Sequence, residues 1–172
     1  MNTSIAAAVL LATLLSAQVS KPAVPGVTNF AKLEATIACG GATTLEGIEE
    51  LKKLGYKTII NLREASETGA NVEASAAAAK AAGIKYVHIP MNRTTPDPSV
   101  ADQFLKAIVD PDAQPVFVHC GSGNRAATMW MIKRMVVDGW DAEKAGAEAA
   151  ALGLTNAALK QFAIDYAATK KK

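Results

Sequence analysis

The sequence predicts a single-domain α/β fold with a mostly parallel sheet flanked by helices. Segments typical of strands alternate with segments whose apolar residues repeat at helical spacing. The chain has 172 residues, the size of one ordinary domain. Half of the residues are hydrophobic and the formal net charge is only +2, so the chain can bury a core and is not largely disordered.

Composition excludes several classes of function. The near-neutral charge argues against a nucleic-acid partner, since such proteins usually carry a basic stripe. With 2 cysteines and 2 histidines, neither a structural zinc site nor a disulfide scaffold is expected. We therefore expect no metal and no cofactor.

The N-terminal segment resembles a signal peptide. Residues 5–15 form an apolar run that is too short to span a bilayer and is followed by small residues. We predict a signal peptide over residues 1–17, a periplasmic or secreted protein, and no membrane contact after cleavage. An uncleaved anchor or a buried N-terminal helix is the alternative. Residues 18–29 are predicted to be a linker, 30–169 the domain and 170–172 a basic tail.

The elements follow one another in α/β order. A capping box at Thr43 and Glu46 predicts a helix that ends at Gly55. Strands are predicted over 57–62, 84–90 and 115–119. The last of these is continuously apolar, as is typical of a central strand. Further helices are predicted over 71–82, from Asp97-Pro98 onward, and over 124–137, 141–152 and 155–168.

The loop after the central strand carries the chemistry. It reads Val118-His119-Cys120-Gly121-Ser122-Gly123-Asn124-Arg125-Ala126. Its glycines allow successive backbone amides to point inward, and the following helix adds its positive end. Arg125 can bind two oxygens of a tetrahedral anion with its planar fork. The predicted phosphate-binding residues are Gly121, Ser122, Gly123, Asn124 and Arg125.

Cys120 lies at the floor of this predicted anion site. Positive surroundings favour a thiolate, which could attack a bound phosphate; the alternative is a small buried core residue. Because neighbouring residues of a strand point to opposite faces, His119 is not expected to be the base for Cys120. We expect it to support the loop by hydrogen bonding the backbone.

A second interpretation of the same loop is a dinucleotide-binding site. Gly121, Gly123 and Ala126 match the G-x-G-x-x-A fingerprint. That fingerprint requires a following strand, whereas the segment after Asp141 is predicted to be helical. We therefore set the cofactor interpretation aside.

The chain resembles the cysteine-dependent protein-tyrosine/dual-specificity phosphatase superfamily. The resemblance is greatest to a bacterial phosphatase-like branch related to the domain fused to β-lactamase-like hydrolases. It rests on 40–43, 56–63, 86–90 and on Val118-His119-Cys120 with Arg125, and it covers residues 30–154. It implies a tyrosine-phosphatase-like fold and a phosphocysteine intermediate. The implied substrate is a phosphorylated protein or a small-molecule phosphate ester.

Three departures from the family pattern bear on function. Only 4 residues separate Cys120 from Arg125, where the usual signature has five, and rhodaneses share this shorter loop. Ala126 replaces the usual Ser or Thr that helps the sulfur leave. The resemblance places the general acid near Asn92, which cannot donate a proton as an acid does. Asp97 is the next candidate for the catalytic acid, with a helix N-cap as its alternative role.

These departures leave two alternative functions open. One is a rhodanese-like sulfurtransferase in which Cys120 carries a persulfide, and the other is a non-catalytic phosphate-binding module. The implied fold could also bring Cys39 near Cys120, so a disulfide between them in an oxidising compartment is a further hypothesis.

Overall fold

The computed structural model describes residues 18–170. The predicted signal peptide, residues 1–17, and the end of the predicted basic tail lie outside the described residues. The strands are β1 (Ala31–Glu34), β2 (Ile37–Gly40), β3 (Thr58–Asn61), β4 (Lys85–His88) and β5 (Val116–His119). The α-helices are α1 (Leu45–Lys53), α2 (Val72–Ala81), α3 (Pro98–Ile108), α4 (Asn124–Val136), α5 (Ala142–Leu152) and α6 (Ala157–Lys170).

The five strands form one sheet in the order β1-β2-β5-β3-β4. Strand β5 lies in the centre and pairs in parallel with β2 and β3, while β4 extends the parallel part beyond β3. Only β1 is antiparallel to its neighbour. The predicted fold class, a mostly parallel α/β sheet with β5 as its buried centre, is confirmed.

Alternate residues of β5 face two separate hydrophobic cores. Val116 and Val118 pack with residues from α3, α4, α5 and α6. Phe117 packs on the other side, with residues from α1 and α2. Because every residue of β5 is buried, this alternation produces a helix layer on each face of the sheet.

Helix α1 begins one residue later than the sequence analysis predicts. Thr44, not Thr43, is the N-cap, and its hydroxyl accepts a hydrogen bond from the Gly47 amide at 3.2 Å. The Thr43 hydroxyl instead donates to the Gly41 carbonyl at 3.2 Å. Both threonines can cap a helix, but the Thr43 hydroxyl is already bonded to the Gly41 carbonyl, so Thr44 is the cap.

The segment 18–29 packs against the domain, whereas the sequence predicts a linker. Ser20 forms a β-bridge with Lys32 of strand β1, and both Val24 and Val27 are buried. The Pro/Gly composition of this stretch reports turns rather than mobility. The sequence analysis also does not predict the hairpin formed by β1 and β2, because Ala35 and Thr36, which connect the two strands, are not typical hairpin-turn residues.

The parallel strands align their carboxyl ends at one edge of the sheet. In register, Gly40 of β2 and Asn61 of β3 both lie beside His119, the last residue of β5. Ligands of such sheets bind at this edge. Within residues 18–170, no helix is long and apolar enough to cross a membrane.

Candidate active site

Cys120 follows β5 directly and lies at this edge. Its amide donates to the Gly40 carbonyl of β2 at 3.2 Å, which continues the sheet pairing by one residue. The side chain is 1% exposed and belongs to the core on the α4 side of the sheet. Its Sγ accepts a hydrogen bond from the Gly123 amide at 3.1 Å. The sulfur therefore faces the start of α4, where backbone amides stabilise negative charge.

The two loop glycines have different reasons to lack a side chain. Gly123 is the N-cap of α4 with φ of +100°, a conformation that other residues rarely adopt. A Cβ on Gly121 would lie 3.6 Å from Arg125 Nη2 and 3.5 Å from Glu67 Oε2. A side chain there would fill the space between the loop and the guanidinium group, where an anion would bind.

Arg125 is held rigidly from three sides. Its Nη1 donates to the carbonyls of Leu62, at 3.0 Å, and Met91, at 2.8 Å. Glu67 accepts from Nη1 at 2.6 Å and from Nη2 at 2.8 Å. Since a guanidinium has five N–H donors, the Nε hydrogen and one Nη2 hydrogen remain for an oxyanion. Burial alone would lower the pKa of Arg125, but Glu67 and the charge of Cys120 raise it.

Glu67 is a site residue that the sequence analysis missed. Burial would raise the pKa of its carboxyl group, but the hydrogen bonds and charge of Arg125, the Glu64 amide and Arg63 lower it to about 2. Arg63 in turn is buried and donates to the carbonyls of Thr68 and Gly69. The available signal was indirect: Arg63 lies two residues after the buried strand β3, at the functional edge of the sheet, and Glu67 lies four residues further along the same loop.

The predicted phosphate-binding residues of the loop divide into two groups. The Gly123 amide donates to the sulfur, and Gly121 lies beside the Arg125 guanidinium group, as described above. The Asn124 side chain instead accepts from the amides of Thr155, at 2.8 Å, and Asn156, at 2.9 Å, just before α6. Its contribution to an anion would therefore come from the backbone. The Ser122 carbonyl accepts from the Asn29 side-chain amide at 3.0 Å, so the N-terminal segment fixes the loop.

His119 lies on the opposite side of the loop from the sulfur. Its ring stacks on Phe117, with ring centroids 5.7 Å apart and planes 9° from parallel. Burial lowers its pKa to about 4, so the ring is neutral at neutral pH. Its Nδ1 has no hydrogen-bond partner among residues 18–170. The ring thus packs behind the loop, beside the backbone of Gly41 and Cys120, whose hydrogen bonds offset part of the effect of burial on its pKa.

The side chains at both candidate positions for a general acid have structural roles. Asp97 is exposed and caps α3 through a 2.8 Å hydrogen bond from the Ser99 amide, which lowers the pKa of its carboxyl group. Asn92 accepts from the amides of Thr94 and Thr95 and donates to Glu64 at 3.3 Å. Asp97 therefore stays ionised at neutral pH, the opposite of what an acid requires.

An open cavity of about 460 Å³ lies over the loop. It is lined by Glu67, Arg93, Gly121, Ser122, Asn124, Arg125, Thr155, Asn156 and Leu159. A second cavity of about 420 Å³ adjoins it, and Glu67 and Arg93 line both. The cavities are of a size that small organic ligands occupy.

The second cysteine is not bonded to the first. Cys39 and Cys120 are both free and buried. Cys39 lies in register with Val118, two residues before Cys120, and burial and the charge of Cys120 raise its pKa above the usual range. The hypothesised disulfide is absent from this structure. Among residues 18–170, no group of three or more potential metal ligands was found.

The chain matches known phosphatases over most of its length. A model of the family "DSP-PTPase phosphatase fused to NAD+ kinase" matches residues 17–165. A β-lactamase hydrolase-like protein of Agrobacterium fabrum is 30% identical over 108 residues, which span 59% of this chain but only 24% of that protein.

Solved structures share the fold at low sequence identity. The catalytic core of the PP-IP phosphatase Siw14 from S. cerevisiae is 20% identical, with a TM-score of 0.68. The match covers 83% of this chain and 87% of the Siw14 chain. TpbA of P. aeruginosa is 20% identical, with a TM-score of 0.67, and the match covers 90% of this chain and 91% of the TpbA chain. A variant of TpbA has also been solved in complex with pTyr.

These matches are to phosphatases, so they favour neither the sulfurtransferase nor the non-catalytic alternative. The family model covers both the cysteine loop and the segment that holds Glu67. The chain therefore belongs to the family DSP-PTPase phosphatase fused to NAD+ kinase, within the cysteine-dependent protein-tyrosine and dual-specificity phosphatases.

Proposed function

We propose that this chain hydrolyses phosphate monoesters through a phosphocysteine intermediate on Cys120. The hydrogen bond from the Gly123 amide to the Cys120 sulfur carries the proposal. It aims the sulfur into a loop that Arg125 closes from the other side. Oriented amides of this kind stabilise both a thiolate and the oxyanions above it.

The first half of the reaction transfers the phosphoryl group to sulfur. The loop amides and the two unused N–H groups of Arg125 hold the phosphate oxygens. The Cys120 thiolate then forms a bond to phosphorus, while the ester oxygen leaves with the electron pair of the broken P–O bond. Glu67 takes no part in proton transfer, because it stays ionised and holds the guanidinium group in place.

The second half returns the enzyme to its starting state. Water attacks phosphorus, the S–P bond breaks, and its electron pair restores the thiolate, while the water oxygen and its two protons leave with the phosphoryl group as dihydrogen phosphate. Ala126 is fully buried and offers no hydroxyl group to the departing sulfur. We therefore expect this half-reaction to be slower than the first when the leaving group is good.

We further propose that aryl phosphates are preferred over alkyl phosphates. An alkoxide needs a proton as it leaves, and neither Asp97 nor Asn92 is arranged to supply one. A phenolate leaves readily without one. The complex of TpbA with pTyr supports an aryl ester, including phosphotyrosine in a protein, as the substrate class.

Turnover of 4-nitrophenyl phosphate tests the proposal. We expect the purified chain to release 4-nitrophenol over many cycles and Cys120→Ser to lose that activity. Cys39→Ala is the matched control, since it removes the other buried thiol and should retain turnover. Full activity in Cys120→Ser, or none in the unaltered chain, would refute the proposal.

A further inference from the structure

Three arginines line the two cavities beside Glu67, and two of them are held in place by several hydrogen bonds to protein groups. Arg63 donates to Thr68 O at 2.7 Å and Gly69 O at 2.9 Å. Arg125 donates to Leu62 O, Met91 O and both Glu67 oxygens. Their positive charges face the ionised carboxylate of Glu67. Arg63, Arg125 and Glu67 together therefore leave one net positive charge beside the loop, which the transferred phosphate would meet.

Arg93 is the third arginine, and its side chain is not held in this way. Its side chain is exposed, and it makes no hydrogen bond or ion pair with any residue in the described range 18–170. It lines both the cavity over the cysteine loop and the adjoining one. The one other carboxylate that lines either cavity, Glu64, accepts hydrogen bonds from Asn92.

The backbone on both sides of Arg93 is fixed. Met91 is fully buried and its carbonyl accepts from Arg125. Asn92 holds the following turn through the amides of Thr94 and Thr95. The backbone of Arg93 is thus held at the edge of the cavity that Gly121 and Arg125 also line, and its guanidinium group is left to bind a ligand there. A planar fork of five donors is suited to a phosphate or carboxylate.

We propose that Arg93 binds a second anionic group of the substrate, beside the phosphate that is transferred. The substrate class is then a phosphate ester that also carries a second phosphate or a carboxylate. This inference rests on the proposed function, because the transferred phosphate must occupy the loop at Cys120. Arg93 would determine specificity without taking part in bond breaking.

Matched substrate pairs test the proposal through a selectivity ratio. One pair is resorcinol monophosphate and resorcinol bisphosphate; the other is a phosphotyrosine peptide flanked by alanines and the same peptide flanked by glutamates. The pairs separate a second phosphate from a carboxylate. The selectivity ratio is kcat/KM for the substrate with the second anionic group divided by kcat/KM for the substrate without it. We expect Arg93→Gln to lower this ratio about tenfold for at least one pair, the effect of one charge-assisted hydrogen bond.

Two control variants make the test specific. Arg93→Lys keeps the charge and should retain most of the ratio, while Lys106→Gln, an exposed charge on α3, should leave it unchanged. The same ratio measured as affinities by calorimetry in Cys120→Ser, with and without Arg93→Gln, does not require turnover. Ratios unaffected by Arg93→Gln for both pairs would overturn this inference. Absence of turnover alone would refute only the proposed function.

Discussion

At the scale of single residues, the site depends on how Arg125 is oriented. Glu67, 58 residues earlier, accepts two of the hydrogen bonds of the Arg125 guanidinium group. Two backbone carbonyls accept from the same nitrogen, so the group cannot rotate freely. The sulfur and the free donors of Arg125 therefore form a preorganised anion site.

Glu67→Gln tests this role. An amide can accept from only one Arg125 nitrogen and lacks the charge, so the guanidinium group should lose its fixed orientation. We expect kcat/KM for 4-nitrophenyl phosphate to fall roughly 10- to 100-fold, the range for hydrogen bonds to charged groups. Glu49→Gln, an exposed residue of α1, is the control. Equal activity in both variants would contradict the role.

Sequence reasoning can identify Cys120, Arg125 and the loop glycines, because they lie within a few residues of one another. It cannot identify Glu67, whose pairing with Arg125 depends on how two distant loops meet at the sheet edge. For the same reason it does not show that the Asn124 side chain contacts the connection before α6. Local spacing predicts backbone shape, but not which side chains meet across the fold.

At the scale of elements, helix α3 begins directly after Asp97, the next candidate for the general acid after the Asn92 position. Asp97 accepts from the Ser99 amide, and Pro98 occupies the first helical position. Both features are typical of a helix start. The order of helices and strands follows from the sequence pattern with small shifts at the ends. The β1–β2 hairpin does not, because Ala35 and Thr36 between its strands give no turn signal.

Two substitutions separate the capping role of Asp97 from a catalytic one. Asparagine caps helices about as well as aspartate but cannot donate an acidic proton. We expect Asp97→Asn to hydrolyse an alkyl phosphate as fast as the unaltered chain and to melt at nearly the same temperature. Asp97→Ala should melt a few degrees lower. A loss of alkyl phosphate hydrolysis in Asp97→Asn, with the aryl rate intact, would identify Asp97 as the acid.

At the scale of the whole molecule, one buried arginine connects three elements. Arg134 of α4 donates to Glu148 of α5 at 2.6 Å and contacts Glu34 of β1. Its guanidinium group lies between Trp130 and Trp140, 4.7 and 4.4 Å from their ring centroids. Glu148 also accepts from the Trp130 indole at 2.7 Å.

Replacement of Arg134 alone should destabilise the fold more than replacement of both Arg134 and Glu148. Arg134→Met leaves the buried Glu148 carboxylate without its main partner and should lower the free energy of unfolding by about 3 kcal/mol. Glu148→Gln added to that variant should recover part of the loss, as chemical denaturation can measure. If the losses in free energy of unfolding of Arg134→Met and Glu148→Gln simply add in the double variant, this account is contradicted.

His119 should make stability depend on pH. Its folded pKa of about 4 lies below the ordinary value of 6.5, so the unfolded chain binds a proton that the folded chain does not. Stability should therefore fall as pH decreases from about 6.5 to 4, by at most roughly 3 kcal/mol from this residue. Melting temperatures across that window should decrease less in His119→Asn. An equal decrease would contradict the burial argument.

The central claim is that Cys120 forms a covalent bond to the phosphoryl group. Rapid mixing with excess 4-nitrophenyl phosphate tests it most directly, because Ala126 leaves the second half-reaction slow. We predict a burst of 4-nitrophenol that approaches one equivalent per chain, with a phosphoryl mass increment on the peptide that contains Cys120 after an acid quench. Turnover without a burst and without any modified cysteine peptide would contradict the account.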